Sequence, residues 1–519
     1  MKQSSRILLA TGLLTHLAYL APAQQRPTYD LTFNPKRYQT KTLTLAGNTF
    51  KVRAFEKIVY VAHPVDTTYQ VLNIYVPEEY FAGKSRGGYS AATAPLFFPN
   101  QIGGYMPGLP ATALTQARAG GMGGPGGPGG GGQPGGPGPG GPGGNQPSAV
   151  VMALAKGYVV ASAGARGRTS QNAAGTYTGK APAAIVDLKA AVRYLRFNDA
   201  RMPGNAAKII SNGTSAGGAL SALLGATGNQ AAYAPYLQAL GAAKATDDIF
   251  AVSAYCPITN LDHADMAYEW QFNGVNRYKR MDIKMLDYKV QRTEVADSLS
   301  APQRAVSAQL KAQFPAYVNS LQLKDKSGKL LTLDAQGNGN FKDLVKSYVL
   351  ASAQQAQASG TDLAAYPWLK LRGKEVVDLD FDAYVRYMER QKSPPAFDGL
   401  DLSTGENQLF GTATVDKQHF TPFGAAHSTT VAATAADEQV VRLMNPLYYI
   451  GQPGTGAARH WRIRHGTKDK DTSLAIAIIL GTTLQNRGYH VDLALPWDRP
   501  HSGDYDLDQL FTWMAGVCK

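Results

Sequence analysis

Between Ile209 and Gly228 the chain reads IISNGTSAGGALSALLGATG. A β-branched apolar run stops at a small polar residue. A glycine-rich turn follows, and an alanine- and leucine-rich run of helical character leaves it. Strand, tight turn and helix in direct succession constrain the fold more than any other stretch. They predict an α/β protein with a mostly parallel sheet covered by helices. The turn also carries chemistry. In Gly213-x-Ser215-x-Gly217 the small residues let the backbone bend, which lifts the serine oxygen to the top of the sheet. The N–H of Ala216, at the helix start, then points to where an oxyanion forms. Ser215 is the candidate nucleophile, and a glycine-rich turn that happens to hold a serine is the plainer alternative.

The same pattern recurs on both sides. From about Thr28 to Phe98 the chain reads as strands, with TLTLAGNTFKVRAF alternating around an Ala-Gly-Asn turn. VVMALAKG reads as a helix and YVVASAGARG as a buried strand. APAAIVDLKAAVRYLRFN is an amphipathic helix with Ile185, Leu188, Ala191, Val192 and Leu195 on one face. FAVSAYCPI is the strand after the Ser215 helix. From about Thr259 to Ala435 the pattern lapses into a charged, aromatic region of helices and loops. It resumes with the strand HWRIRHG, the helix SLAIAIILGTTLQNRG, the strand YHVDLALP and the helix LDQLFTWMAGV.

This divides the 519 residues into four parts. Residues 24–259 form the first part of an α/β core, 260–435 an inserted lid or cap, and 436–519 the second part of the core. Residues 1–23 read as a leader: MKQSSR is basic, ILLATGLLTHLAYL is apolar but short for a span, and Ala21 and Ala23 offer a cleavage site. The expectation is a secreted or periplasmic protein with no stable membrane insertion after cleavage. Within the first part, residues 120–147 are almost all Gly and Pro, with a glycine at every third position from Gly123 to Gly144. That is the collagen period, but a flexible surface loop is the expected form of so short a run. The net charge of +13 is scattered with no basic cluster, so nucleic acid is not an expected partner. Two cysteines, Cys256 and Cys518, are no disulfide framework, although one bridge between them stays open. No metal-ligand cluster or nucleotide fingerprint stands out, and no cofactor is expected.

A serine nucleophile needs a base and an acid, which in this fold follow it in the order acid, then histidine. Of nine histidines, His501 in WDRPHSGDYD lies after the last expected strand and before the last helix. His465 ends a strand and shapes the acid loop; His263, His419 and His427 fall in the insert, where cap packing is their default role. The acid loop reads TKDKDTS and offers two carboxylates. Asp469 is the choice for orienting the imidazole, while Asp471 either faces the pocket or caps the helix that begins near Ser473. A second oxyanion donor belongs in the loop NQIGGYMPG, where Gly103 and Gly104 allow close approach of backbone to a bound ester.

At these residues the chain resembles the bacterial tannases, subtype B of the tannase and feruloyl esterase relatives. The resemblance rests on GTSAGG, CPITNLDHAD, KSPPAFDG…GENQLFG, HGTKDKDTS and PWDRPHSGDYD. It implies an α/β-hydrolase fold with an inserted lid, hydrolysis of small-molecule galloyl esters, and a triad on Ser215, Asp469 and His501. It also implies Lys392, Glu406 and Asp471 around the galloyl ring, with Ile258 completing the substrate-binding set. Gallate carries three adjacent phenolic hydroxyls, which carboxylates and an ammonium group can hydrogen-bond. From the residues alone Lys392 and Glu406 read as solvated cap residues. The Gly/Pro stretch departs from the family pattern. A feruloyl or general aryl esterase on the same fold is the alternative activity. A non-catalytic hydrolase-fold binding protein is a third reading, against which stands a complete triad.

Overall fold

The computed structural model describes residues 28–113, 148–286 and 289–519, with side chains outside 280–294. The expected leader at 1–23 and the Gly/Pro stretch at 120–147 lie outside the described residues. In chain order the strands are β1 (Gln39–Leu45), β2 (Asn48–Val59), β3 (Val71–Pro77), β4 (Pro95–Pro99), β5 (Val159–Ala163), β6 (Asn205–Thr214) and β7 (Ala251–Tyr255). Next come β8 (Arg277–Leu286) with β9 (Lys289–Ser298), and β10 (Leu369–Arg372) with β11 (Glu375–Leu379). The chain returns to β12 (His460–Arg464) and β13 (His490–Ala494). Among the described residues one nine-stranded sheet runs β1-β2-β3-β5-β4-β6-β7-β12-β13. The neighbours from β5 through β4, β6, β7 and β12 to β13 are parallel, while β1, β2 and β3 meet their neighbours antiparallel. At the β1–β2 turn Ala46 and Gly47 both take positive φ, the form that joins twisted strands tightly.

Strand periodicity sends alternate residues to opposite faces. Leu96, Phe98, Val159, Ala161 and Ile209 join one apolar cluster; Phe97, Val160 and Ile210 join a second. The first is roofed by the helices Ala183–Phe197, Ala216–Ala226 and Leu474–Asn486, the second by Ala149–Ala155 and Leu507–Val517. On the Ala183–Phe197 helix Ile185, Leu188, Ala191, Val192 and Leu195 are fully buried, as their spacing predicts.

Between β7 and β12 the chain contributes no strand to the nine-stranded sheet. This insert carries two small antiparallel hairpins, β8–β9 and β10–β11. Its helices Leu261–Phe272, Ala301–Ser320 and Asn340–Ala358 gather around an aromatic knot, in which Trp270 meets Phe314, Phe341 and Phe381 at 5.1, 6.0 and 6.2 Å between ring centres.

One register decides where chemistry can gather. Thr214 pairs with Tyr255, Tyr255 with Arg464, and Arg464 with Ala494. Four parallel strands therefore end on one row, and the residues just past it come from four separate loops. This is the carboxyl edge at which open α/β sheets hold their ligands.

Candidate active site

Ser215 is the first residue past that row. It takes φ 62° and ψ −125°, a region that costs energy for any residue with a side chain. Packing holds it there: its N–H donates to Tyr255 O at 3.0 Å, and its carbonyl accepts from Ala219 N at 2.9 Å. The flanking glycines are sterically required. A Cβ on Gly213 would lie 2.3 Å from Gly217 O, and one on Gly217 would lie 2.5 Å from Asn100 Oδ1. The Ser215 side chain makes no capping bond to the helix it precedes. The first N–H groups of a helix have no intrahelical partner, and Ala216 is the first residue of this one.

His501, beyond β13, and Asp469, beyond β12, meet at the same edge: Nδ1 of His501 lies 2.8 Å from Asp469 Oδ2. Asp469 is buried, yet His501 and His465 hold its carboxyl down at about 2 against the cost of burial. Burial opposes a charge on His501, but the carboxylates beside it, Asp469 foremost, raise it well above the ordinary histidine value. Its Nε2 hydrogen-bonds to no described residue, and Asp471 Oδ2 lies 3.8 Å away. No hydrogen bond therefore joins this nitrogen to Ser215. Asp471 donates its N–H to Asp469 Oδ1 at 3.0 Å. It does not cap the following helix; Ser473 does, accepting from Ala475 N at 3.2 Å.

The loop holding Gly103 and Gly104 lies across the elbow. A Cβ at either glycine would meet nothing within 4 Å, so the backbone here faces open space. Asn100 fixes the loop from below, donating to Gly217 O at 3.0 Å and Ser221 Oγ at 3.1 Å while Ile102 N donates to its Oδ1 at 3.4 Å. Tyr105 ties it from the side, its hydroxyl donating to Ile258 O at 3.0 Å. Ile258 is buried, and its N–H reaches Ser215 O at 3.4 Å, so its backbone links elbow and loop.

The insert supplies the other wall. Lys392 Nζ lies 3.3 Å from Asp471 Oδ1 and 4.1 Å from the centre of the Phe397 ring. Burial works against its charge, but Asp471 and Glu406 outweigh that and raise its pKa. Burial pushes the Glu406 carboxyl up, with Lys392 pulling against it. Tyr268 holds this wall to the acid loop: its hydroxyl donates to Lys470 O at 3.1 Å and accepts from Gln391 N and Lys392 N at 3.0 and 3.1 Å. Glu406 rides on a short helix begun by a reciprocal cap between Thr404 and Asn407. Arg168 spans from that helix, at Gln408, to Gly104 O at 2.9 Å. An ammonium and two carboxylates thus stand beside an Asp–His pair and a strained serine, a set suited to acyl transfer from a hydroxylated ring.

Solved structures share this architecture. A Fusobacterium nucleatum tannase is 47% identical, superposes with a TM-score of 0.86, and matches over 95% of this chain and 100% of its own. The chain belongs to the bacterial tannase family. A Lactobacillus plantarum tannase is 45% identical over 94% of this chain and 99% of its own, with a TM-score of 0.86. A tannin acyl hydrolase solved in complex with ethyl gallate is likewise 45% identical over 94% and 99%, with a TM-score of 0.82. The BD-FAE family model matches residues 142–314. No curated protein matches. Within this tannase family the chain is a carboxylic ester hydrolase on an α/β-hydrolase fold.

Several residues of this candidate site are not marked by the sequence. Asn100, Tyr105, Arg168 and Tyr268 act through bonds to residues distant in the chain, and no local pattern marks them. Cys256 is the residue just past β7, and a positive φ there was the detectable oddity only in three dimensions. Its thiol is buried, and Cys256, Asp469 and His501 offer ligand atoms within 4.8 Å of one another. The sequence showed no such grouping. Cys256 and Cys518 are both free.

Proposed function

We propose that the chain hydrolyses galloyl esters of tannins and simple gallates to gallic acid through a galloyl-enzyme. Ser215 Oγ attacks the ester carbonyl while His501 Nε2 takes its proton, and Asp469 stabilises the imidazolium through Nδ1. The oxyanion sits on N–H groups of Ala216 and the Gly103–Gly104 loop. His501 returns the proton to the leaving alcohol, and water then cleaves the acyl-enzyme by the same route. Lys392, Glu406 and Asp471 bind the ring hydroxyls, and the insert acts as a lid over residues 260–435. The observation that carries this reading is Asp471, placed 3.8 Å from the base nitrogen and 3.3 Å from Lys392, so that ring recognition and chemistry share one pocket. The solved relative with ethyl gallate supports the same substrate class.

The test compares methyl gallate with methyl ferulate on the purified mature chain. Faster turnover of methyl ferulate overturns the galloyl reading in favour of a feruloyl esterase. Mass spectrometry after a serine-directed phosphonate places the label on Ser215; labelling elsewhere overturns the triad. We further propose export after removal of residues 1–23, checked by amino-terminal sequencing of the exported protein.

A further inference from the structure

The turn to which the proposed mechanism gives the oxyanion is strained and is held from outside. Met106 N donates to Gly103 O at 3.0 Å, closing a turn over Gly103–Met106 whose middle residues, Gly104 and Tyr105, have φ 54° and 55°. That conformation is free for glycine and costs energy for tyrosine, so it persists only where neighbours enforce it. Arg168 does so twice. Its N–H donates to Tyr105 O at 2.8 Å and its Nε to Gly104 O at 2.9 Å. With the carbonyls of Gly103, Gly104 and Tyr105 all held, the three planar peptides between Gly103 and Met106 are fixed, the Gly104 N–H included. The other end of the same guanidinium lies on the insert. Its Nη1 donates to Gln408 Oε1, on the helix Gly405–Leu409 that carries Glu406. A Cβ on Gly405 would meet Arg168 Cζ at 3.1 Å, so the guanidinium packs against the first residue of that helix. Gln408 is anchored in turn: its Nε2 donates to Asp416 Oδ1 at 3.0 Å, and its carbonyl accepts from Lys180 Nζ at 2.9 Å. Among the described residues none of the Gln408 hydrogen bonds reaches the oxyanion turn itself.

We propose that Arg168 is a positioning residue that makes the oxyanion turn depend on the seating of the insert's Glu406 helix. The inference rests on the galloyl esterase reading above. With that helix seated, Gln408 holds the guanidinium against Gly104 O, and the turn presents its N–H groups to the ester oxygen. With the helix displaced, the guanidinium loses its anchor and the strained turn relaxes. A planar guanidinium suits this task, because its fixed fork reaches two acceptors at once. Seating of the helix is thereby expressed at the reacting carbonyl, as stabilisation of the transition state rather than as added affinity for the ring.

The test reads the oxyanion turn and the ring clamp separately. Arg168→Met lowers kcat on methyl gallate by about tenfold to a hundredfold. It slows phosphonylation of Ser215, in which the phosphoryl oxygen takes the oxyanion position, by a similar factor. Binding of gallate, which uses the clamp, stays within about threefold. Gln408→Leu leaves Arg168 and the turn in place, yet slows the same two rates by about threefold to tenfold. Retained gallate binding reports that a variant has folded; where Arg168→Met binds no gallate and melts early, Gln408→Leu decides. Rates within about twofold of the unaltered protein in both variants, with only the melting temperature lowered, make Arg168 a structural tie and overturn the proposal. A slow Arg168→Met protein beside an unchanged Gln408→Leu protein overturns the dependence on the insert. Weaker gallate binding with an unchanged phosphonylation rate places Arg168 in the clamp and overturns it too. If the unaltered protein neither binds gallate nor cleaves methyl gallate, the galloyl reading falls, and the phosphonylation rates with the melting temperatures still judge Arg168.

Discussion

The tannase fold holds two aspartate–histidine pairs of almost the same geometry. Asp469 meets His501 at 2.8 Å and Asp398 meets His419 at 2.7 Å, each through Nδ1, and each leaves Nε2 without a partner among the described residues. Their surroundings differ. Asp398 also accepts from Asn407 Nδ2, Phe420 N, Thr421 N and Thr421 Oγ1, so it is the hub of a loop. That loop ends in the helix carrying Glu406. His419 is 1% exposed and clamped by its own backbone, its N–H to Thr434 O and its carbonyl to Ala436 N. Asp469 accepts only the Asp471 N–H besides His501 among the described residues, and His501 is partly open at the sheet's carboxyl edge. The pair alone is an ordinary buried ion-pair motif. On the proposed reading it becomes a base where its free nitrogen shares a pocket with a strained serine and a helix N-terminus.

The largest effects test that contrast directly. Ser215→Ala and His501→Ala lower kcat on methyl gallate by about 10⁴–10⁶ with the melting temperature retained. His419→Ala behaves in the opposite way. Removing one member of a buried pair costs about 3–5 kcal/mol of stability, read by denaturant unfolding. The molecules still folded keep kcat within about tenfold, because His419 acts on Glu406 only through Asp398 and Asn407. Loss of turnover in a His419→Ala protein of normal stability would break the comparison.

Next comes Asp469→Asn, which keeps the shape and removes the charge. It lowers kcat by about 10⁴-fold. It also moves the pH profile. An imidazolium cannot accept the serine proton, so activity falls as pH drops through the His501 pKa, which the carboxylates raise above the ordinary value. The acid limb of kcat/KM therefore lies above the normal histidine range and shifts downward in Asp469→Asn. An unmoved limb would assign it to another group.

How much of this was legible in the chain follows from distance along it. The elbow is local: Gly213, Ser215 and Gly217 are written within five positions, and their steric logic survives translation into structure. The Asp469 and His501 loops are readable because each follows a recognisable strand. The insert's contributions are not. Arg168 reaches Gln408 across 240 positions, and Tyr268 reaches Lys392 across 124. Lys392 and Glu406 looked like solvated residues because charge in a polar region is usually surface. Only the resemblance, not the pattern, singled them out.

A third, smaller effect concerns these two. Glu406→Gln and Lys392→Met lower kcat/KM on methyl gallate by about 10²-fold and leave methyl benzoate within about threefold. On the proposed reading each change removes a partner of the ring hydroxyls, which methyl benzoate lacks. Equal losses on both esters would make the two residues supports of the lid.

The smallest expected effect asks which of two nucleophilic side chains is used. Cys256 stands near where a cysteine hydrolase would want one: its thiol, Asp469 and His501 offer atoms within 4.8 Å of one another. Three observations favour the serine. Burial pushes the Cys256 thiol up, so the reactive thiolate is disfavoured. Its sulfur is directed to Ser502 O at 3.4 Å. And Ser215, not Cys256, opens the helix whose first N–H is free for an oxyanion. Cys256→Ala therefore empties only a sulfur-sized space beneath the imidazole. It costs about 1 kcal/mol of stability and lowers kcat by less than about tenfold through a looser ring. Turnover of methyl gallate by this variant, beside Ser215→Ala, decides the matter: an inactive Cys256→Ala protein of normal stability, with Ser215→Ala still active, would exchange the roles of the two residues.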